Sequence, residues 1–332
     1  MMNSRTLQFK KTNSSAFCAY VTVLACLMAV LAFAVYLFGA RVLVQALIAV
    51  CVMLAAEAVC CLEIYQRRIA VEDMLSAAIT GVLCALLCPV SATHIMPMFM
   101  AATAAVIKHI FGGRGKNLIN PAFGSAFVSE LLFGDIMHSF TEPFKYHTAF
   151  TLFIEQKYID ASVSASPLEY MLGGNELTEL DLPELLLGFV AGKNGETSVA
   201  LLFLLGLVLL CMGISEFRAG ASYLATLFVM AYFFPIGVSE ATYYAIWQVI
   251  TGAVMIVAVF GMNDPTTTPA FLNGRIIFGV GCGLLTYILR VTVSAFDGAI
   301  AALVIMNLLT PLINALTAPA PKRPKREEIS NA

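Results

Sequence analysis

The sequence has little charge for its length. Only 12% of its 332 residues are charged, whereas soluble domains carry about 25%. Hydrophobic residues make up 60% of the chain, and its mean hydropathy is +0.86. A soluble protein needs a charged surface, so this composition excludes water as the main solvent. The sequence therefore predicts an integral membrane protein.

The chain also lacks the groups that nucleic-acid binding and metal chemistry require. Its net charge of −2 gives no overall attraction to a polyanion, so no nucleic-acid partner is expected. The four histidines are scattered, with no two at metal-ligand spacing on a clear helix face. The nine cysteines lie inside apolar runs, where a thiol is usually a small hydrophobic filler. Cys84 and Cys88 stand one helical turn apart, which leaves a soft-metal site conceivable there alone.

Ten apolar runs approach the length of about 20 residues that a membrane helix needs. They predict an all-α integral membrane protein with about ten transmembrane helices. The runs lie near 17–39, 42–64, 74–92, 94–110, 120–134, 197–214, 219–236, 243–261, 275–290 and 297–316. The first run is too long for the apolar region of a signal peptide, so we interpret it as the first helix.

The positive charges predict the orientation. With a cytoplasmic N-terminus, fourteen of the 19 Lys and Arg residues fall on the cytoplasmic side. We therefore expect a multi-pass protein of the cell (inner) membrane, surrounded by lipid, with both termini cytoplasmic. The resulting segments are a cytoplasmic N-terminus (1–16), a first transmembrane half (17–134), an external loop (135–196), a second transmembrane half (197–316) and a cytoplasmic basic tail (317–332).

Each half contains a polar interruption that carries proline. The first spans 117–123 and includes Asn120, and the second spans 263–271 and includes Asp264. Paired interruptions in two halves are typical of discontinuous helices whose backbone groups face a shared buried site. The pattern predicts two five-helix repeats with interrupted helices, although ordinary loops that end at proline would give the same pattern.

Acidic residues within the predicted spans are candidates for ion transfer. Glu57 lies midway through the second span, where a carboxylate is costly unless it is paired, protonated or turned toward a polar cavity. We expect it to face the interior, on an ion path. Glu130 is a weaker candidate, because a small shift of its helix would bring it to the external surface. Asp264 and Asp297 lie at helix ends, where capping explains them equally well.

The external loop offers a run of hydroxyl groups after Asp160. This run resembles the flavinylation motif Asp-x-x-Ser/Thr-Gly-Ala-Thr, in which the last hydroxyl is joined to the phosphate of FMN. Aligned on Asp160 and Ala165, the acceptor is Ser166. The chain departs from the motif at Val163 and Ser164 and has Ser where Thr is usual, but a phosphoester needs only one accessible alcohol. A solvated loop without cofactor is the alternative.

Further short motifs follow the order and spacing of one known family. They are Phe111-Gly-Gly-Arg-Gly-Lys-Asn117 with Asn120-Pro121, Gly195-Glu196-Thr197-Ser198, Asn263-Asp264-Pro265, Gly274-Arg275 and Phe296-Asp297-Gly298. Within the ten-helix frame they resemble the D subunit of the Rnf-type ion-translocating electron transport complex over nearly the whole chain. The related B subunit of the sodium-pumping NADH:quinone oxidoreductase shares this architecture but is usually longer at its N-terminus, so the Rnf type is preferred.

The resemblance implies a subunit of a redox-driven ion translocase that is not active alone. It implies FMN joined to Ser166 and a second, non-covalent flavin. It also implies partner subunits of the Rnf complex, among them another covalent flavoprotein. Glu196 and Thr197 precede a helix, where free N–H groups favour a flavin phosphate or ring edge, but simple helix capping is equally compatible. The choice between sodium and protons stays open.

A secondary transporter without covalent flavin is the alternative function. Interrupted helices, a repeat and an acidic residue such as Glu57 are also typical of a carrier. The external loop distinguishes the two, because a carrier has no need of a flavin acceptor. The sequence therefore favours the redox subunit.

Overall fold

A computed structural model of the chain describes residues 14–144, 163–164, 167, 182–236, 240–293 and 297–319. Most of these residues are helical, and one short pair of strands accompanies the helices.

Five helices form the first half. They are α1 (Ser14–Phe38), α2 (Ala40–Val59), α3 (Val71–Leu86), α4 (Ile95–Ile110) and α5 (Pro121–Leu132). Gly39 makes the sharp turn between α1 and α2 at a φ of 84°, a conformation open to glycine. A π-helical turn, Cys60–Ile64, continues α2, and the short helix α6 (Gly134–Met137) follows α5. Strands β1 (Phe140–Thr141) and β2 (Val163–Ser164) then pair antiparallel.

Helix α7 (Leu182–Leu187) leads into the second half. The helices there are α8 (Val199–Cys211), α9 (Arg218–Phe233), α10 (Ala241–Ile250), α11 (Val254–Ile256), α12 (Leu272–Thr292) and α13 (Gly298–Thr317). A second π-helical turn, Val257–Gly261, continues α11. The axis bends by 61° where α10 meets α11.

Each predicted span coincides with a helix or a pair of helices in the described chain, but ten membrane crossings are not confirmed. Four helices are long and apolar enough to cross: Ala16–Phe38, Ala40–Ile64, Leu272–Thr292 and Gly298–Thr317. A fifth crossing results if the bent pair Ala241–Ile250 and Val254–Gly261 is one broken span. The remaining helices of the two halves have 12 to 16 residues, about 18–24 Å, against about 30 Å of hydrocarbon.

The apolar run at 74–92 shows why an apolar run can be longer than the helix inside it. Helix α3 ends at Leu86, and the residues from there to Ala92 form turns. Pro89 lies among them and has no backbone N–H to donate to a helix. Apolar character therefore continues beyond the helix, because these turns are buried in the protein interior.

Close helix contacts depend on small residues. A Cβ atom added to Gly81 of α3 would lie 2.7 Å from the Cα atom of Val50 in α2. A Cβ atom added to Gly283 of α12 would lie 2.9 Å from the carbonyl oxygen of Tyr223 in α9. Membrane helices associate through such close approach, because lipid is as apolar as their side chains.

The two halves pack in the same order. Helix α2 contacts α3 and α4, and α4 contacts α5; in the second half α9 contacts α10 and α12, and α12 contacts α13. Helix α13 also contacts α5, and α1 contacts α8, so the halves share one interior. Two copies of a five-helix unit would give this order, and the repeat itself stays a prediction.

Candidate functional site

Two buried polar clusters lie at opposite ends of the helices. Arg41, at the start of α2, belongs to one cluster, and Glu57, in the last turn of the same helix, belongs to the other. Following the predicted orientation, we name the end near Glu57 and Asp264 the inner end. The end near Arg41 and Lys193 is the outer end.

The two predicted interruptions meet at the inner end. Asn120 precedes α5, and its Oδ1 atom accepts hydrogen bonds from the backbone N–H groups of Ala122 and Phe123, at 3.2 and 3.5 Å. Its Nδ2 atom donates to Oδ2 of Asp264 at 3.1 Å. One side chain thus caps the helix after the first interruption and binds the second, so the two interruptions meet at one partly buried junction.

Asp264 is held by donors from its own loop. Its Oδ1 atom accepts from the backbone N–H of Thr266 at 3.0 Å and from the Thr266 hydroxyl at 2.7 Å. Burial raises the pKa of Asp264 above the ordinary value of an aspartic acid, and the Thr266 donors oppose that rise. Asn263 donates to the carbonyl of Val259 at 2.8 Å, which satisfies a backbone group of the π-helical turn. Asp264 therefore organises its loop instead of capping a helix.

A cavity of about 330 Å³ opens beside this junction. Its polar lining includes Arg114, Asn117, Asn120, Asp264 and Thr266, and its apolar lining includes Tyr20, Leu83, Val259 and Phe260. Ligand pockets in proteins have this character, with mostly apolar walls and a few convergent polar groups, and volumes from about 300 Å³. The lining suits a flat, mostly apolar ring system with hydrogen-bonding groups along one edge.

Glu57 faces the protein interior, as predicted, and is fully buried. Its Oε2 atom lies 2.9 Å from Nζ of Lys108 and 3.4 Å from Nε2 of His109, both at the end of α4. Lys108 also donates to the hydroxyl of Ser76 at 3.1 Å. Within the long helix Ala40–Ile64, which α2 forms together with the π-helical turn, Glu57 lies past the middle, in the last turn of α2. The carboxylate is therefore tolerated in the interior through ion pairing.

Asp73, at the start of α3, adds a second buried carboxylate to the inner end. Its Oδ1 atom lies 2.7 Å from Nε of Arg114, and its Oδ2 atom lies 3.4 Å from Nη2 of Arg67. Ligand atoms of Glu57, Cys61 and Asp73 all lie within 4.8 Å of one another. Their carboxylates already face basic side chains, so this cluster does not have the charge balance of a metal site.

At the outer end, Arg290 closes the break between α10 and α11. Its Nη1 atom donates to the carbonyl of Gln248 at 2.7 Å, and its Nη2 atom donates to the carbonyl of Thr251 at 2.9 Å. Nη2 also lies 3.2 Å from Oδ1 of Asp297. Asp297 accepts from the N–H of Ala253 beyond the break at 2.6 Å, and it caps α13. The capping interpretation of Asp297 is thus confirmed, and its partnership with Arg290 is additional.

Side chains also donate hydrogen bonds to the backbone carbonyls of the turns after α3. The amide of Gln45, in α2, donates to the carbonyls of Pro89 and Ala92, both at 3.2 Å. Arg41 donates to the same Ala92 carbonyl at 2.9 Å. Asn194, in the segment before α8, donates to Oε1 of Gln45 and to the carbonyl of Ala85, both at 2.9 Å. Side chains of α2 and of the segment before α8 therefore complete the backbone hydrogen bonding here.

The segment before α8 is buried, although the sequence places most of it in an external loop. Nζ of Lys193 lies 2.5 Å from Oε1 of Glu130 in α5, so Glu130 is an interior residue and not a surface one. Ser198 caps α8 by accepting from the N–H of Leu201 at 3.4 Å. Glu196 and Thr197 are buried beside it, and their predicted contact with a flavin stays a prediction.

The predicted flavin acceptor Ser166 and its motif partners Asp160 and Ala165 lie outside the described residues. Two nearby residues are described: Val163 and Ser164 form β2, with Ser164 opposite Phe140 of β1. Strand β2 thus pairs with the chain just after α6, and in the sequence Ser166 comes two residues after Ser164.

The fold and its polar interior define a class of helical membrane protein with interrupted helices and buried charge at both ends. The chain belongs to the NQR2, RnfD, RnfE family, whose model matches residues 5–323. The predicted resemblance to the D-type component of the Rnf complex is thereby confirmed at the level of the family.

Individual relatives carry related names. The chain is 33% identical to the D subunit of the Na(+)-translocating ferredoxin:NAD(+) oxidoreductase complex of Acetobacterium woodii, over 89% of this chain and 87% of that protein. It is 31% identical to the D subunit of the ion-translocating oxidoreductase complex of Pseudomonas paraeruginosa, over 74% and 73%. It is 30% identical to the B subunit of the Na(+)-translocating NADH-quinone reductase of the same organism, over 71% of this chain and 58% of that protein.

Proposed function

We propose that the chain is a membrane subunit of an Rnf-type complex that couples electron transfer through flavin to the translocation of sodium or protons. The observation that carries this function is the junction of Asn120 with Asp264 beside a cavity suited to a flavin ring. The length of the match to proteins named as subunits of ion-translocating oxidoreductases supports it. The same names support assembly with other subunits, among which we propose a second covalent flavoprotein.

The covalent cofactor that we propose is FMN, held by a phosphoester to the hydroxyl of Ser166. Asp160 and Ala165 set the register of the motif, and Ser162 and Ser164 are the competing alcohols in the same loop. Bound FMN supplies a ring that accepts and releases electrons, which no side chain does. The chain's own task is to hold that ring in one place outside the membrane, with Glu196 and Thr197 as proposed contacts.

A second, non-covalent flavin is proposed for the inner cavity. Asn120, Thr266 and Asp264 offer donors and acceptors along one edge, while Leu83, Val259 and Phe260 offer apolar surface to the ring face. Such a wall also excludes water from the ring. A flavin released from the purified chain by denaturation, in addition to the attached one, would support this assignment.

For the ion path we propose Glu57 at the inner end. Its ion pair with Lys108 keeps the carboxylate buried without a bound metal ion. An arriving sodium ion or proton would compete with the Lys108 ammonium for the same oxygen, so ion transfer there requires Lys108 to move. We further propose the cell membrane as the location, with both termini cytoplasmic.

The experiment that tests the redox function uses the denatured chain, expressed together with its flavin-attaching enzyme. We expect ultraviolet fluorescence of the band in a denaturing gel and an intact mass increased by one FMN. Ser166→Ala should abolish both signals, whereas Ser162→Ala and Ser164→Ala should retain them. A wild-type band that stays dark, with no mass increment, would favour a secondary transporter, since its helix breaks and acidic residue would be the same.

A further inference from the structure

Glu196 is buried beside a lysine that is already engaged. Glu196 is 8% exposed and Lys193 is 1% exposed. The Lys193 ammonium lies 2.5 Å from Oε1 of Glu130. The backbone N–H of Lys193 donates to Oε1 of Glu196 at 3.0 Å. The second oxygen of Glu196, Oε2, has no hydrogen-bond partner among the described residues.

Several other ionisable groups surround this carboxyl in the described chain. Lys193 in the same loop, Glu130 in α5 and Asp297 before α13 act on Glu196 itself. The groups that act on these neighbours are Arg290 in α12, His138 after α6, Cys88 in the turns that follow α3, and Arg41 beside those turns. Arg290 is paired with Asp297 at 3.2 Å. Arg41 donates to the carbonyl of Ala92 at 2.9 Å. Among the described residues, Lys193 is thus the cation that acts most strongly on both Glu130 and Glu196.

Two buried carboxylates cannot both be neutralised by one ammonium. An ionised carboxylate without a partner is costly in a low-dielectric interior, so the second carboxyl must bind a proton or a metal ion. A hard metal ion needs about six oxygen ligands. In the described chain the backbone N–H of Lys193 donates to Glu196, and the Lys193 ammonium is the positive charge that acts on it most strongly; the carboxylates of Glu130 and Asp297 are already paired. This environment suits a proton and not an alkali ion.

We propose that Glu196 is a proton-binding site, whose carboxyl group carries a proton while Lys193 is paired with Glu130. When the Lys193 side chain turns to Glu196, the O–H bond of Glu196 breaks and the proton passes to the carboxylate of Glu130. The net charge of the three groups stays the same during this exchange. Burial raises the pKa of Glu196 above its ordinary value, and Lys193 opposes that rise. The use of this proton in ion translocation rests on the proposed function, but the binding site does not.

Infrared spectroscopy of the assembled complex, titrated over pH, tests the site directly. Protonated carboxylic acids give a carbonyl-stretch band that carboxylates lack. We expect this band in the difference between the wild type and Glu196→Gln at neutral pH. The control is Glu184→Gln, at an exposed position of α7, which should leave the band in place. If the wild type and Glu196→Gln have the same carboxylic-acid bands, Glu196 is ionised and the proposal is wrong.

A second variant tests the sharing of Lys193. Glu130→Gln removes the competitor, so Lys193 should pair with Glu196 and lower the pKa of Glu196. The Glu196 band should then disappear at a correspondingly lower pH. Loss of the band in Glu130→Gln together with its retention in Glu196→Gln would assign the proton to Glu130 and overturn the proposal.

The replacement of potassium by sodium in the buffer provides the last comparison. We expect the band to be unchanged, and its loss in sodium would identify a metal-ion site instead. These outcomes are separate from the test of the redox function. A chain with the Glu196 band but without attached flavin would support the proton site and refute the redox function. A chain with attached flavin but without the Glu196 band would support the redox function and refute the proton site.

Discussion

The side-chain amide of Asn120 donates to the carboxylate of Asp264 at 3.1 Å, across 144 residues of sequence. This bond joins the interruption of the first half to that of the second at one wall of the inner cavity. Because Asn120 also caps α5, a change at this residue affects both the helix and the junction between the halves.

Asn120→Ala should destabilise the protein by about 1–2 kcal/mol, because it removes the α5 cap and a hydrogen bond to the partly buried carboxylate of Asp264. Asn120→Ser keeps a capping oxygen and should cost less. The free energy of unfolding in detergent, from denaturant titration, measures both effects. Equal losses in the two variants would mean that the bond to Asp264, and not the cap, provides the stability.

Asp264 should make stability depend on pH. Its pKa is raised by burial in the folded chain, so the folded state binds this proton more tightly than the unfolded state. The resulting stabilisation is complete below the pKa of an unfolded aspartic acid and is lost as the pH rises through the raised value. Asp264→Asn cannot titrate and should show a flatter dependence of Tm on pH over that range. An unchanged slope would contradict this assignment.

The Glu57–Lys108 pair should behave as a buried ion pair. Lys108→Met leaves the Glu57 carboxylate without its ammonium and should cost about 3–5 kcal/mol. The double variant Glu57→Gln with Lys108→Met should recover part of that loss. Arg275→Met is the control, because its partner Glu216 is half exposed and surface pairs contribute about 0–1 kcal/mol.

Glu57→Gln alone tests the ion path. The variant loses the counter-charge of Lys108 and should be less stable, but it should fold, because an amide keeps the shape of the side chain and can accept a hydrogen bond from Lys108. We expect ion pumping by the assembled complex to fall while the complex stays intact in the membrane. Unchanged pumping would leave Glu57 with a structural role alone.

Ser166→Thr should preserve or increase covalent flavin, since it restores the usual acceptor of the motif. The fraction of the chain with the mass of one attached FMN measures the effect. A lower fraction than in the wild type would mean that the loop has adapted to serine, and that the motif does not set its chemistry.

Reporter fusions test the orientation. A reporter active outside the cytoplasm should work at about residue 170 and fail at about residue 325, because most Lys and Arg residues then lie inside. The opposite pattern would invert the topology.

The sequence predicts the elements of this fold better than their lengths. Each apolar run coincides with a helix or a pair of helices in the described residues, but hydropathy cannot separate an apolar helix from the apolar turns between Leu86 and Ala92, because both are buried. The meeting of Asn120 with Asp264 was predictable, since paired interruptions indicate a shared site. The pair of Lys193 with Glu130 was not, because nothing in either local sequence indicates a partner 63 residues away.

The broken helix of the second half has a consequence for biosynthesis. The carbonyls of Gln248 and Thr251 are synthesised 42 and 39 residues before Arg290, the side chain that binds them. Until α12 has entered the membrane, this backbone has no partner for its hydrogen bonds in hydrocarbon. We therefore expect chains that are truncated ahead of Arg290 to be degraded by membrane quality-control proteases. Stable accumulation of the earlier helices then depends on synthesis of the last two.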